Sequence, residues 1–88
     1  KDSGLFVISG ATGSGKSTTL YAILDAINKM YKKNIITLED PIEINKDYCL
    51  QIEIDDRKGI SYHESLKQIL RHDPDVIMVK YVMKRQLN

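Results

Sequence analysis

The stretch Gly10-Ala-Thr-Gly-Ser-Gly-Lys16-Ser17-Thr18 constrains this chain more than any other. It fits G-x-x-x-x-G-K-[ST], a loop between a strand and a helix whose backbone amides cradle phosphate. Gly10, Gly13 and Gly15 admit backbone conformations that a side chain would block, so successive N–H groups can turn toward one anion. The helix that follows adds the positive end of its dipole. Lys16 is placed to reach the β- and γ-phosphates, and the Ser17 hydroxyl to coordinate Mg²⁺. Thr12, Ser14 and Thr18 complete the candidate phosphate-binding set. The apolar run Leu5-Phe-Val-Ile8 before the loop and an amphipathic run after it supply the strand and helix that the motif requires. That context predicts a nucleotide site rather than a glycine-rich turn.

Eighty-eight residues allow one small domain at most. A net charge of +1 gives no electrostatic support for nucleic-acid or membrane binding, so no direct nucleic-acid contact is expected. No apolar run is long enough to span a bilayer, and no secretory signal pattern opens the chain. The single cysteine, Cys49, rules out an internal disulfide and fits a reducing cytosol. It reads as a small hydrophobe beside a strand. The chain starts almost at its first strand and stops soon after its last, which reads as a piece of a larger protein.

Leu5 to Ser9 is a continuous apolar strand of the kind buried on both faces of a parallel sheet. The loop feeds a helix over 16–31, with Leu20, Ile23, Leu24, Ile27, Met30 and Tyr31 at helical spacing facing the sheet. Lys29, Lys32 and Lys33 are cations at its C-terminal end, where the dipole favours them. Asn34 to Leu38 is a second strand, and it runs into Glu39-Asp-Pro-Ile-Glu43. In parallel sheets ligands sit at the carboxyl ends of strands. Glu39, Asp40 and Glu43 therefore emerge at the edge where phosphates bind, with a role near Mg²⁺ or the attacking water. Asn45-Lys-Asp47 is a truncated, misplaced echo of a guanine-reading motif and carries no weight. Leu50 to Ile54 alternates as a half-exposed strand. Ser61-Tyr-His-Glu64 is a capping box that opens a helix to about Arg71, with Tyr62, Leu66, Ile69 and Leu70 inward. His63 and His72 read as surface residues outside any metal-ligand set. Val76 to Val79 is a third buried strand after Asp73-Pro-Asp75.

Three of these stretches carry a family resemblance. Gly4 to Tyr21 resembles the nucleotide loop, or Walker A motif, of the secretion ATPases. These are hexameric P-loop motors of type II secretion, type IV pilus assembly and DNA uptake. Ile35 to Glu43 is similar to their acidic box, and Leu70 to Met78 to their run into the Walker B strand. Pro41 to Asp47 followed by Leu50-Gln51 is closest to the Gram-positive competence branch. The resemblance implies that Lys16 and Ser17 bind phosphate and Mg²⁺. It implies that Glu39 and Glu43 help to position Mg²⁺ and water, Glu39 as a metal ligand. It also sets Arg71 near the nucleotide or a neighbouring subunit, though a helix-end cation explains that residue equally well. ATP and Mg²⁺ are the implied cofactors. The implied partners are a homo-hexameric ring and an inner-membrane platform protein, with a cytoplasmic location against the membrane's inner face.

The chain departs from this pattern after Met78. The family continues Gly-Glu-Ile-Arg-Asp, whose Glu is the Walker B carboxylate; this chain continues Val79-Lys-Tyr-Val-Met-Lys-Arg-Gln-Leu87. Written as GGT GAA ATA CGT GAT GAA AAG ACA GCT, the codons of Gly-Glu-Ile-Arg-Asp-Glu-Lys-Thr-Ala minus their first base read Val-Lys-Tyr-Val-Met-Lys-Arg-Gln-Leu. A reading-frame shift at Val79 accounts for that tail. Residues 1–79 are then the N-terminal part of a P-loop ATPase core, and 80–88 an atypical tail.

The expected fold is α/β: a partial RecA-like P-loop NTPase domain, three-layered, with a mostly parallel sheet. The expected function is the ATP-binding part of a secretion or pilus motor that hydrolyses ATP to ADP and phosphate. Loss of the Walker B carboxylate should leave turnover weak or absent. The alternatives are an ATP-binding product without motor activity and a small-molecule P-loop kinase, against which the acidic box argues. So small a core, with sheet edges exposed, predicts marginal stability or self-association.

Overall fold

Alternation along four short strands sets the architecture, because each strand sends successive side chains to opposite faces of one sheet. The computed structural model describes residues 5–11, 16–31 and 33–81, residues 16, 17 and 56 by their backbone alone. The elements run β1 (Phe6–Ala11), α1 (Lys16–Met30), β2 (Ile35–Glu39), β3 (Leu50–Glu53), α2 (Tyr62–Leu70) and β4 (Val76–Tyr81). The sheet is wholly parallel, in the order β1-β4-β2-β3. The last strand thus lies between the first two. β4 reaches Tyr81, and residues 82–88 lie outside the described residues.

The two helices cover opposite faces. Leu20, Tyr21 and Leu24 of α1 pack with Ile35, Val76 and Met78. On the other face Ile69 of α2 packs with Ile36, Leu38, Ile54 and Ile77. Helix, sheet and helix make the three α/β layers expected. α2 starts where its cap predicts: Ser61 is extended and its Oγ accepts from the Glu64 N–H at 3.2 Å. Among the described residues no helix is long and apolar enough to cross a membrane.

Several inward faces expected from periodicity are exposed. Leu5, Phe6 and Val7 were expected in a strand buried on both faces, yet Phe6 is 61% and Val7 59% exposed. β1 is an edge strand, hydrogen-bonded to β4 alone among the described strands, and α1 meets it at Ile8 and Gly10. Ile23, Met30 and Tyr31 of the first helix are exposed, as are Leu66 and Leu70 of the second. A four-strand sheet is too narrow to cover an apolar stripe of that width on either helix. Tyr21, absent from the expected core, is instead 3% exposed within it.

Candidate functional site

The loop expected to bind phosphate is bracketed by β1 and α1. β1 delivers Gly10 directly beneath α1: a Cβ added there would lie 3.1 Å from Leu20 Cδ1, so strand and helix meet closely where glycine stands. Thr12, Gly13, Ser14 and Gly15 lie outside the described residues, and Lys16 and Ser17 open α1 by their backbone. Thr18 is exposed in the helix's first turn.

The same sheet edge carries the acidic stretch. Glu39 is the last residue of β2 and stands in register with Lys80 of β4. Both side chains project to the α1 face, continuing the alternation of Ile35 and Thr37 and of Val76 and Met78. Glu39 is completely buried. Its Oε1 accepts from the Tyr21 hydroxyl and pairs with Lys80 Nζ at 3.3 Å. Its Oε2 accepts from Thr37 Oγ1 at 2.7 Å and Gln51 Nε2 at 2.9 Å. Lys80, likewise at 0% exposure, donates to Glu43 Oε1 at 2.8 Å and to the Tyr21 hydroxyl at 3.0 Å, and its ammonium lies 4.8 Å from the Tyr21 ring centre. Burial works to lower the Lys80 pKa. The hydrogen bonds to Glu43 and Tyr21 outweigh it and hold the ammonium above the usual lysine value. The Tyr21 oxygen also accepts the backbone N–H groups of Glu43 and Ile44, at 3.2 and 3.3 Å, which ties down the turn after Pro41. The Asp40–Pro41 peptide bond in that turn is cis.

Mg²⁺ requires open oxygen ligands in near-octahedral array at about 2.0–2.1 Å. As held here, each Glu39 oxygen already meets two partners, and the position between Glu39 and Glu43 is filled by an ammonium. Among the described residues no group of three or more His, Cys, Asp or Glu side chains could hold a metal ion. The Glu39–Glu43 pair thus fits a lysine ammonium and not a magnesium ion. Ser17, the other metal ligand expected from sequence, falls where side chains are not described.

Arg71 is drawn away from this edge. It caps the C-terminal end of α2, and the segment after it is fastened to Asn34, which precedes β2. That places Arg71 at the amino edge of the sheet, opposite Glu39 and Lys80. The stretch around Asn45 has a structural use instead. Lys46 and the Tyr48 hydroxyl both bind Asp25 of α1, at 3.1 Å and 2.5 Å, and the Lys46 N–H donates to Gln51 Oε1. The Tyr48 hydroxyl first, then Lys46, hold the Asp25 carboxyl below its usual range.

Sequence reading missed Tyr21, Thr37, Gln51 and Lys80 as parts of this cluster. Parity offered one signal: residues 35, 37 and 39 share a face, as do 76, 78 and 80. The pairing of β2 with β4 was needed to join the two sets.

A family model described as "Type II/IV secretion system protein" matches residues 1–82. The chain belongs to that family. Family members of known name align closely. The chain is 45% identical to "Competence protein ComGA" of Bacillus subtilis over 76 residues, 86% of this chain and 21% of that protein. It is 49% identical to "Putative type II secretion system protein E" of Escherichia coli, and 47% to "Type II secretion system ATPase E" of Vibrio cholerae. Each of these two alignments also spans 76 residues, 86% of this chain and 15% of the relative. The chain thus spans about a fifth or less of the length of these three relatives. Family members named for competence and for type II secretion match it about equally well, so identity does not separate the two branches.

Proposed function

We propose that this chain is the ATP-binding part of a motor ATPase that powers type II secretion, type IV pilus assembly or competence DNA uptake. The observation that supports the reading is that β1 ends at Ala11 and α1 begins at Lys16, at the same sheet edge where β2 ends in Glu39. Membership of the secretion family supports it, and so does a Vibrio cholerae relative named as an ATPase. In this reading the backbone of Gly10 to Gly15 wraps the phosphates, with Thr12, Ser14 and Thr18 alongside. Lys16 would neutralise the β- and γ-phosphates, and the Ser17 hydroxyl would help to hold the Mg²⁺ that accompanies the nucleotide. Bound Mg²⁺ would supply charge neutralisation at the phosphates. Glu39 and Glu43 are the carboxylates nearest in role to the attacking water. The described sheet is part of a RecA-like domain. In the complete protein six copies form a ring at the inner face of the membrane and act on a platform protein.

A second reading, ATP binding without motor activity, is favoured by one observation. Glu39 and Glu43 are engaged by Lys80, and residues 79–88 contain no Asp or Glu. Phosphoryl transfer to water needs a group to orient that water. We read the segment from Val79 onward as a shifted reading frame. Sequencing the gene tests this: family-like codons in the adjacent frame support it, and their absence refutes it. Calorimetry with Mg-ATP, with phosphate release followed in the same sample, tests the rest. Binding that disappears in Lys16→Ala without phosphate release supports an ATP-binding chain with no turnover. Substantial release assigns the chain motor chemistry, and an absence of binding overturns both readings.

A further inference from the structure

Glu39 and Lys80 are opposite charges held away from water, facing each other across the β2–β4 pairing. Glu43 reaches the same ammonium from the turn after β2. We propose that in this chain the Lys80 ammonium occupies the acidic stretch of β2 and its following turn, so that Glu39 and Glu43 are not ligands of a divalent ion here.

Three features carry the proposal. Register fixes the ammonium by backbone geometry: residue 80 is the direct partner of residue 39 and shares its face. The Glu39 carboxylate is saturated, its two oxygens meeting Tyr21, Lys80, Thr37 and Gln51, so a metal would have to displace two donors from one oxygen. The ammonium also lies over the Tyr21 ring, and an aromatic face suits a desolvated ammonium. Magnesium gives up its water reluctantly, and Glu39 and Lys80 are both fully buried. The proposal rests on these contacts alone and does not require the nucleotide reading.

Manganese is the probe, titrated into the whole chain without nucleotide and followed by loss of the free-ion paramagnetic resonance signal. The wild-type chain is expected to show no site that depends on the acidic stretch. Lys80→Met keeps a side chain of similar length and removes the charge. It should gain one site at least about ten-fold tighter, because two carboxylates then lack a counter-cation. Adding Glu43→Gln to Lys80→Met should remove that site again. Equal Mn²⁺ binding by wild type and Lys80→Met, or binding by neither, overturns the proposal. Should circular dichroism show that Lys80→Met is unfolded, the wild-type chain decides. A Mn²⁺ site there that Glu43→Gln abolishes overturns the proposal, and the absence of such a site upholds it. With no nucleotide present, this result and the Lys16→Ala result stand or fall separately.

Discussion

A lysine ammonium with no exposed surface persists only where several partners replace the water it has lost, and around Lys80 they converge on one phenol. The Tyr21 hydroxyl donates to Glu39, accepts from Lys80 and accepts the N–H groups of Glu43 and Ile44. Tyr21→Phe keeps the ring and strips all four bonds. It should cost about 1–3 kcal/mol, since buried charged partners are left short of a hydrogen bond. Urea unfolding should show a lower midpoint at unchanged slope, and an unchanged midpoint would mean that the hydroxyl is dispensable. Because the folded pKa of Lys80 is raised, its contribution is fully present at neutral pH and is lost only as pH climbs past the usual lysine value of 10.5. Cys49 allows a second test. Burial, reinforced by the Glu39 charge, pushes its thiol up to about 11 from the usual 9.0. The thiolate is the reactive form, so at pH 8 its reaction with a disulfide reagent should be about a hundred-fold slower than that of an unperturbed thiol. A rate equal to free cysteine would place that thiol in water. Of this neighbourhood, the sequence reveals Glu39 and Glu43 through their crowding after a strand. Tyr21 and Lys80 give no local signal, since a buried lysine becomes intelligible only when its partner strand is known.

At the level of elements, strands were legible because apolar runs of strand length lie between Gly, Pro and Asp breaks, and α2 because its cap is spelled out at Ser61. The wholly parallel sheet follows from the same alternation of strands and helices. Strand order was not legible, because no local pattern says that β4 inserts between β1 and β2. Nor was the exposure of Phe6 and Val7, because burial depends on neighbours in space and not on a strand's own composition. Where an element is covered, the cost of thinning it can be stated. Leu24 of α1 is fully buried among Leu20, Tyr21, Ile35, Val76 and Met78. Leu24→Ala should cost about 2–5 kcal/mol through lost burial and the cavity left behind. Ile23→Ala, on the exposed side of the same helix, should cost much less. Thermal unfolding of the two variants side by side checks the contrast, and equal losses would mean that α1 packs with another face toward the sheet.

For the molecule as a whole, the balance of covered and uncovered surface decides its state in solution. Domains of this size are stable by only a few kcal/mol, and among the described residues a parallel edge strand is left open with apolar side chains beside it. β1 pairs with β4 through its full length, so among the described residues its other side presents unpaired amide and carbonyl groups next to the exposed Leu5, Phe6 and Val7. Apolar side chains and open backbone bonds on one edge favour pairing with a second copy over remaining in water. Sedimentation velocity across a concentration series should therefore show self-association. A lysine in place of Val7 should reduce it, because a charge on an open edge opposes strand addition while leaving the β1–β4 hydrogen bonds intact. The same substitution should barely change the unfolding midpoint of the monomer, since Val7 is already 59% exposed. A wild-type chain that stays monomeric at all concentrations would mean that the β1 edge is covered in solution. Undiminished association after Val7→Lys would move the contact to another surface, the exposed sides of α1 and α2 being the next apolar faces available.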